Sequence, residues 1–86
     1  MTYNHAMLRG ENSADFCRRM GWAAGTRIAG DEGYGVTVIE ITAIGETSLL
    51  ARTVQHDGKP RDDGEGLWHL GCRDWARTPD DCYWGA

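Results

Sequence analysis

Histidine and cysteine side chains late in the chain have the chemistry to bind a metal ion. His69 and Cys72 are separated by two residues and Cys82 follows after nine more, so this segment supplies three possible zinc ligands. A structural zinc site usually takes its ligands from two close pairs, whereas this segment has one pair and a single cysteine. We interpret His69 as a half-exposed strand residue and Cys72 as a small buried apolar group. The sequence therefore predicts no metal site and no cofactor.

The cysteines and the acids are the other candidates for catalysis. The chain has three cysteines, Cys17, Cys72 and Cys82. A cysteine nucleophile needs a histidine beside it and an electropositive setting, and no local signature in the sequence provides either. Asp62, Asp63 and Glu65 form a cluster, but in a glycine-rich segment we expect their carboxylates to be solvated. The sequence thus predicts no catalytic residues and a protein that is not an enzyme.

Residues 30–35, with the sequence GDEGYG, combine glycines and acids as phosphate and calcium loops also do. A phosphate loop needs a lysine and a following helix, whereas here no lysine is present, a strand follows, and Asp31 and Glu32 would repel phosphate. A dinucleotide-binding loop also precedes a helix, and a calcium loop is longer, with alternating acids. We interpret the segment as a corner between two strands, in which glycines supply positive φ angles while Asp31, Glu32 and Tyr34 are displayed to a partner.

Size, composition and charge limit the class of protein. A chain of 86 residues has room for a single domain, and its 12 glycines with 41% hydrophobic residues indicate a turn-rich fold. The net charge of −4 argues against nonspecific nucleic-acid binding, which requires a basic face. No run approaches the roughly 18–20 apolar residues that span a bilayer, and the pattern of a signal peptide is absent. With an odd number of irregularly spaced cysteines, the sequence predicts a cytosolic protein with free thiols.

Capping and periodicity signals define the first part of the chain. Residues 1–11 have no periodicity and predict a flexible lead-in. Residues 12–22 predict a short helix that Asn12 or Ser13 caps and that Gly21 ends. No other full helix is expected, since the later segments carry turn residues and β-branched residues.

Short runs of β-branched and apolar residues predict four to five antiparallel strands. They are expected at residues 25–30, 36–44, 48–54 and 67–70, and after a helical turn that begins at residue 72. Residues 55–66 are rich in turn residues and predict a long, mobile, acidic loop. Small all-β domains close their sheets to remove exposed edges. We therefore predict one domain over residues 1–86, mainly β with one short N-terminal helix, in which a small SH3-like β-barrel occupies residues 25–77 and a tail occupies residues 78–86.

Tryptophans and arginines alternate in residues 65–77. Such side chains form interface hot spots when they are exposed, and when the tryptophans are buried they anchor the core beneath the arginine stems. We expect Trp68 and Trp75 to be mainly buried, because a domain of this size needs large apolar side chains in its core. Trp84, in the tail, is expected to be more exposed.

Several segments together resemble a group of small uncharacterised proteins encoded by bacteriophages and prophages. The likeness rests on F-x-x-x-x-G-W from Phe16, on GDEGYG, on ITAIGE at residues 41–46 and on EGLW-x-L-x-C-R-D-W at residues 65–75, and it covers most of the chain. Two departures are Val36, where the group has proline, and an unusually long tail after Arg77. The resemblance implies a phage context and no particular activity.

Small phage proteins commonly act by stoichiometric binding to a bacterial target. The resemblance therefore leads us to expect a non-enzymatic protein in the cytoplasm of an infected bacterium that binds and blocks a host protein complex, for example as an anti-defence or anti-CRISPR inhibitor. Acids would be offered to a basic groove and aromatic side chains would supply buried area. The residues expected to contact the partner are Asp31, Glu32, Tyr34, Asp57, Asp62, Asp63, Glu65, Tyr83 and Trp84.

Two alternatives involve other ligands. In the first, a homo-oligomer of barrels sequesters a nucleotide signalling molecule, with Arg27, Arg52 or Arg73 binding its phosphate and a tryptophan stacking on its base. In the second, the chain is an SH3-like nucleic-acid-binding module, which the acidic net charge disfavours. No membrane partner is expected.

Overall fold

One helix, six strands and a 3₁₀ turn make up the part of the chain that the computed structural model describes, residues 5–31, 35–72 and 74–77. In chain order these elements are α1 (Ser13–Met20), β1 (Arg27–Asp31), β2 (Val36–Ile44), β3 (Leu49–His56), β4 (Lys59–Pro60), β5 (Glu65–Trp68), a 3₁₀ turn (Leu70–Cys72) and β6 (Trp75–Arg77). The expected mainly β class with one short N-terminal helix is confirmed.

The helix α1 begins and ends at the residues that its capping signals indicate. The side-chain oxygen of Asn12 accepts a hydrogen bond from the backbone N–H of Asp15 at 2.7 Å, which satisfies one of the unpaired donors of the first turn. Gly21 stops the helix in the left-handed conformation, with φ of 76°. Within the described part of the chain, no helix has the length and apolar character needed to cross a bilayer.

The six strands form one antiparallel sheet. β4 and β5 both pair with β3 along the same edge, and β3, β2, β1 and β6 follow in that order. The last strand thus returns to pair with the first after a 3₁₀ turn, a connectivity that agrees with the predicted SH3-like barrel. The sheet is not closed by hydrogen bonds among the described residues. Instead β5 and β6 approach through side chains, since the rings of Trp68 and Trp75 meet edge to face with centroids 6.2 Å apart.

The helix packs on one face of this sheet and completes the core. The core includes Phe16 and Cys17 from α1, Ile39 and Ile41 from β2, Leu49 and Ala51 from β3, and Leu70 and Trp75. A hydrogen bond joins the helix to the 3₁₀ turn, since the Leu70 N–H donates to the Ser13 hydroxyl at 3.0 Å. The 3₁₀ turn is itself bound to β6, because the Trp75 indole N–H donates to the Leu70 carbonyl at 3.1 Å. Residues from distant parts of the sequence therefore hold α1 in place.

Residues 55–66, which the sequence predicts as a loop, contain parts of three strands. β3 continues to His56, which pairs with Thr37, and residues 57 and 58 form a two-residue hairpin turn. Asp57 and Gly58 have φ angles of 51° and 81°, as a type I′ turn requires. The loop proper is limited to residues 61–64, because β5 already begins at Glu65.

Residues 5–11, which the sequence predicts as a flexible lead-in, are held against the domain by hydrogen bonds. His5 exchanges two backbone hydrogen bonds with Trp75, at 2.6 and 2.7 Å. Arg19 of α1 binds the Glu11 carboxylate at 2.8 Å and the Ala6 carbonyl at 3.1 Å. The sequence gives little sign of this attachment, since it depends on backbone pairing with a distant strand and on Arg19 contacts that side-chain periodicity does not report.

Candidate protein-interaction surface

Four strands align alternating charges across the face of the sheet that points away from the core. In register, Arg27 of β1 lies opposite Glu40 of β2, Glu40 lies opposite Arg52 of β3, and Arg52 lies opposite Glu65 of β5. Residues directly opposite in an antiparallel pair share a face, so these side chains form one line, here called the charged row. Glu40 binds both of its neighbours, since Arg52 donates to its Oε1 at 2.9 Å and Arg27 lies 3.5 Å away.

The two arginines determine the charge state of Glu40. The hydrogen bond from Arg52, followed by the positive charges of Arg52 and Arg27, lowers the pKa of the Glu40 carboxyl below its usual 4.5, although partial burial opposes this shift. The same pair raises the pKa of Arg52. Two of the arginines expected to bind phosphate in a nucleotide sponge are thus already engaged by a carboxylate.

Replacing Glu40 by glutamine is expected to lower the free energy of unfolding by about 0.2–1 kcal/mol, because the ion pairs are half exposed and screened by solvent. The lowered pKa means that folded protein holds the Glu40 proton less tightly than unfolded protein does. Its stabilisation is therefore present above pH 4.5 and lost as the pH falls through the folded-state pKa. Urea denaturation across this acidic range should show a shallower pH dependence for Glu40→Gln.

The matched control for this variant is Glu46→Gln. Glu46 is an exposed acid in the turn between β2 and β3 and makes no salt bridge with a described residue. A Glu46→Gln variant removes one acid from outside the charged row and is the reference against which Glu40→Gln is compared. Equal acid profiles for Glu40→Gln and the original protein would contradict the assignment of Glu40 as the centre of the charged row.

An apolar row lies beside the charged row on the same face. Ala43 of β2, Leu50 of β3 and Leu67 of β5 are opposite one another in register. A β-bulge between Ile41 and Ala43 places Ala43 on this face, because the extra residue shifts the alternation of side chains by one. Leu67 is 77% exposed, although leucine is among the residue types most often fully buried. The row borders a groove of about 350 Å³ that the turn at residues 45–48 also lines.

Residues 57–65 form a fully exposed segment along the outer edge of β3, here called the edge segment. The segment carries four acids and two bases. Arg61 forms a salt bridge with Asp63 at 3.0 Å, and the carboxylate of Asp62 accepts a hydrogen bond from the Gly64 N–H at 3.0 Å. Asp57 and Glu65 make no salt bridge with a described residue. Arg61 thus neutralises one acid of the cluster, Asp63, whereas Asp62 and the two acids at the ends of the segment, Asp57 and Glu65, have no salt-bridge partner among the described residues.

The structure brings Asp31 and Asp57 to one end of the sheet. Asp31 is the last residue of β1 and lies opposite Val36, whose carbonyl accepts a hydrogen bond from the Asp57 N–H at 2.7 Å. Gly35 is needed at this point, because its φ is 106° and a Cβ there would lie 3.1 Å from the Cβ of Asp57. The glycine-built corner predicted at residues 30–35 is thus supported at Gly35, and it adjoins the edge segment.

Several predicted contact residues lie outside the described part of the chain. These are Glu32, Tyr34, Arg73, Tyr83 and Trp84. The sequence-based prediction in turn omits Leu50 and Leu67, whose side chains form the apolar row. The alternation in Glu65–Trp68 carried the relevant signal, because a strand that turns Trp68 toward the core turns Leu67 away from it.

Cysteine and metal chemistry receive no support from the described residues. Cys17 is buried in the core, and its burial raises the pKa of the thiol from 9.0 to about 11. Such a thiol stays protonated near neutral pH and is a poor nucleophile. Within residues 5–31, 35–72 and 74–77, no three histidine, cysteine, aspartate or glutamate side chains are grouped closely enough to hold a metal ion.

The fold and its surface define a small SH3-like β domain to which a capped N-terminal helix is joined. The chain belongs to the family described as Domain of unknown function (DUF7241), whose model matches residues 11–80. This match covers α1 and all six strands, so the helix is part of the family's domain and not an appendage. No curated protein matches the chain significantly, and no solved structure does.

Proposed function

We propose that this protein binds a bacterial host protein complex through its edge segment and blocks the complex by occupying a basic surface on it. The observation that carries this proposal is the unbroken exposure of residues 57–65, in which acids outnumber bases by four to two. Exposed charges along the edge of a sheet can steer a partner of opposite charge and fix its orientation. The protein would act in the cytoplasm of the infected bacterium, as its resemblance to phage proteins suggests, and its mode of action would be inhibition of host defence.

The position of the acids favours binding over chemistry. Asp57 lies at the tip of a hairpin and Glu65 lies in a strand, so the backbone fixes both side chains at their Cα atoms. Asp31 adds a third carboxylate at the Asp57 end of the sheet. A surface whose carboxylates are carried by an ordered backbone can match several basic groups of a partner with little loss of backbone conformational entropy.

The nucleotide-sponge alternative is less well supported. It requires arginines that are available to phosphate, whereas Arg27 and Arg52 both contact Glu40. A phosphate would have to displace this carboxylate or accept its repulsion, which lowers the affinity that the arginines can supply. Light scattering with the nucleotide present and absent tests this alternative directly.

Neutralising the two ends of the edge segment is expected to abolish most of the binding. A tagged full-length chain with Asp57→Asn and Glu65→Gln should retain the host partner at least about tenfold more weakly than the original protein does. The matched control carries Glu46→Gln and Asp74→Asn, which also remove two negative charges, but from exposed positions outside the edge segment. Capture from host lysate, followed by titration of the purified partner at increasing salt, measures the effect.

The salt dependence separates the proposed electrostatic contact from a general loss of folding. The original protein and the control should bind more weakly as salt rises, while the edge variant should respond less. Circular dichroism must show that both variants are folded. If no partner is retained by the original protein, or if the control loses binding as much as the edge variant does, the proposal is wrong.

A further inference from the structure

The outer edge of β5 is an open strand edge that carries an exposed apolar side chain. β5 pairs with β3 along one edge, and the backbone N–H and C=O groups of its other edge have no strand partner among the described residues. Proteins usually protect such edges with charged side chains, proline, a bulge or a very short strand, because an open edge pairs readily with another chain. β5, with the sequence EGLW, is short and begins with a charged residue, Glu65, but it has no lysine or proline, and its Leu67 is 77% exposed. A weakly protected edge with an exposed apolar side chain fits a binding function.

The two rows of the outer face end at this edge and specify what would continue them. Leu67 is the last member of the apolar row, and Glu65 is the last member of the charged row. The charged row alternates between positive and negative from Arg27 to Glu65, so the next member would be positive. A strand added beside β5 would therefore place an apolar side chain next to Leu67 and a basic side chain next to Glu65.

We infer that β5 binds an extended segment of a partner protein by antiparallel strand addition, and that this segment reads apolar-x-basic from its N-terminus. In antiparallel pairing the partner residue opposite Leu67 precedes the one opposite Glu65 by two positions, and both project to the outer face. A lysine or arginine there meets a carboxylate that makes no salt bridge with a described residue. The inference rests on the proposed function, for which it specifies the binding mode and the chemistry of the partner.

Charge complementarity favours such a segment over a second copy of this chain. β5 contains no basic residue, so a second β5 would bring no positive charge to Glu65. The edge segment that precedes β5 also carries surplus negative charge, and two copies joined at β5 would bring two such segments near one another. Self-association would leave the charged row unextended.

Short capped peptides test this inference without the unidentified partner. The test peptide has valine and then arginine two positions apart in a threonine and serine background, and the reference peptide has the same residues with valine and arginine exchanged. NMR titration of the full chain should show shifts concentrated on β5 and β3 for the test peptide, with slower hydrogen exchange at β5 amides. The reference peptide should bind at least about fivefold more weakly, because it places arginine beside Leu67.

Two variants of the exposed edge assign the contacts without risk to the core. Glu65→Lys should weaken the test peptide at least about fivefold and improve binding of a peptide with glutamate in place of arginine. Leu67→Thr should lower the affinity for both peptides while leaving the temperature of thermal unfolding nearly unchanged. Two N-methylated forms of the test peptide examine strand addition itself. Methyl groups on the amides that face away from β5 should leave binding intact, whereas methyl groups on the amides that donate hydrogen bonds to β5 should abolish it.

Three outcomes would overturn the inference. Equal binding of the two peptides would remove the register argument, and shifts confined to residues away from β5 would place the contact elsewhere. Concentration-dependent dimerisation that Glu65→Lys or Leu67→Thr abolishes would assign the edge to a second copy. If the peptides bind at β5 but no host partner is captured, the proposed function is wrong and strand addition stands. If the host partner is still captured by the Leu67→Thr and Glu65→Lys variants, strand addition is wrong and the proposed function stands.

Discussion

Replacing Trp75 by alanine is expected to lower the free energy of unfolding by about 3–5 kcal/mol, the range for truncating a buried aromatic side chain. Trp75 is fully buried, its ring contacts Trp68, and its indole N–H donates to the Leu70 carbonyl. Its backbone joins β6 to β1 and bonds to His5. Because native domains are stable by only about 5–15 kcal/mol, the loss would remove a large fraction of the protein's stability.

Urea denaturation followed by circular dichroism measures this effect, since fluorescence would itself change with the loss of a tryptophan. Trp75→Phe should lie between the original protein and Trp75→Ala, because phenylalanine keeps most of the ring volume and leaves the Leu70 carbonyl without its donor. Leu67→Ala is the surface control and should change stability by no more than about 0.5 kcal/mol. A loss below about 1 kcal/mol for Trp75→Ala would mean that the side chain does not anchor the core.

Replacing Phe16 by alanine should have an effect of similar size, about 3–5 kcal/mol, even though Phe16 lies in the helix. Phe16 is fully buried, and its ring meets Trp22 edge to face with centroids 5.2 Å apart. The guanidinium of Arg19 lies 5.2 Å from the same ring. The alanine variant would leave a cavity between α1 and the sheet and remove both ring contacts.

The Phe16 variant also distinguishes an integral helix from a dispensable one. Asp15→Ala is the control within α1, since Asp15 is exposed and its salt bridge with Arg18 contributes at most about 1 kcal/mol. If the helix were an appendage, Phe16→Ala would leave urea unfolding of the sheet almost unchanged and accelerate hydrogen exchange in α1 only. We expect instead that the helix and the sheet lose stability together in one transition.

Local signals predicted the elements whose residues agree with their own structure. β2 has the predicted bounds, Val36–Ile44, because its β-branched residues favour a strand and no turn residue interrupts them. The cap residues of α1, Asn12 and Gly21, could likewise be predicted from the sequence. The end of β3 and the start of β5 were missed because Gln55, His56 and Glu65 are polar. On the exposed face of an antiparallel sheet polar residues are tolerated, so polarity there does not indicate a loop.

The candidate surface was less predictable, because it depends on register. The sequence identifies the acids of the edge segment, but the pairing of Glu40 with Arg27 and Arg52 follows only once three strands are aligned. The exposure of Leu67 depends on which side of β5 faces the core, and Trp68 determines that side. A register shift of one residue would have exchanged the faces and hidden Leu67 in the core.

The pairing of β6 with β1 has a consequence for the synthesis of this protein. On the ribosome, α1 and β1 emerge well before β6, and the hydrogen bond between Ser13 and Leu70 joins residues 57 positions apart. Phe16 and Ile28 are therefore synthesised before the 3₁₀ turn and β6 that help to cover them. The fold is completed only when Trp75 has left the exit tunnel. Contacts of such long range slow folding and prolong the exposure of apolar side chains. We expect the nascent chain to be protease-sensitive and bound by chaperones until β6 has emerged, and then to become resistant in a single step.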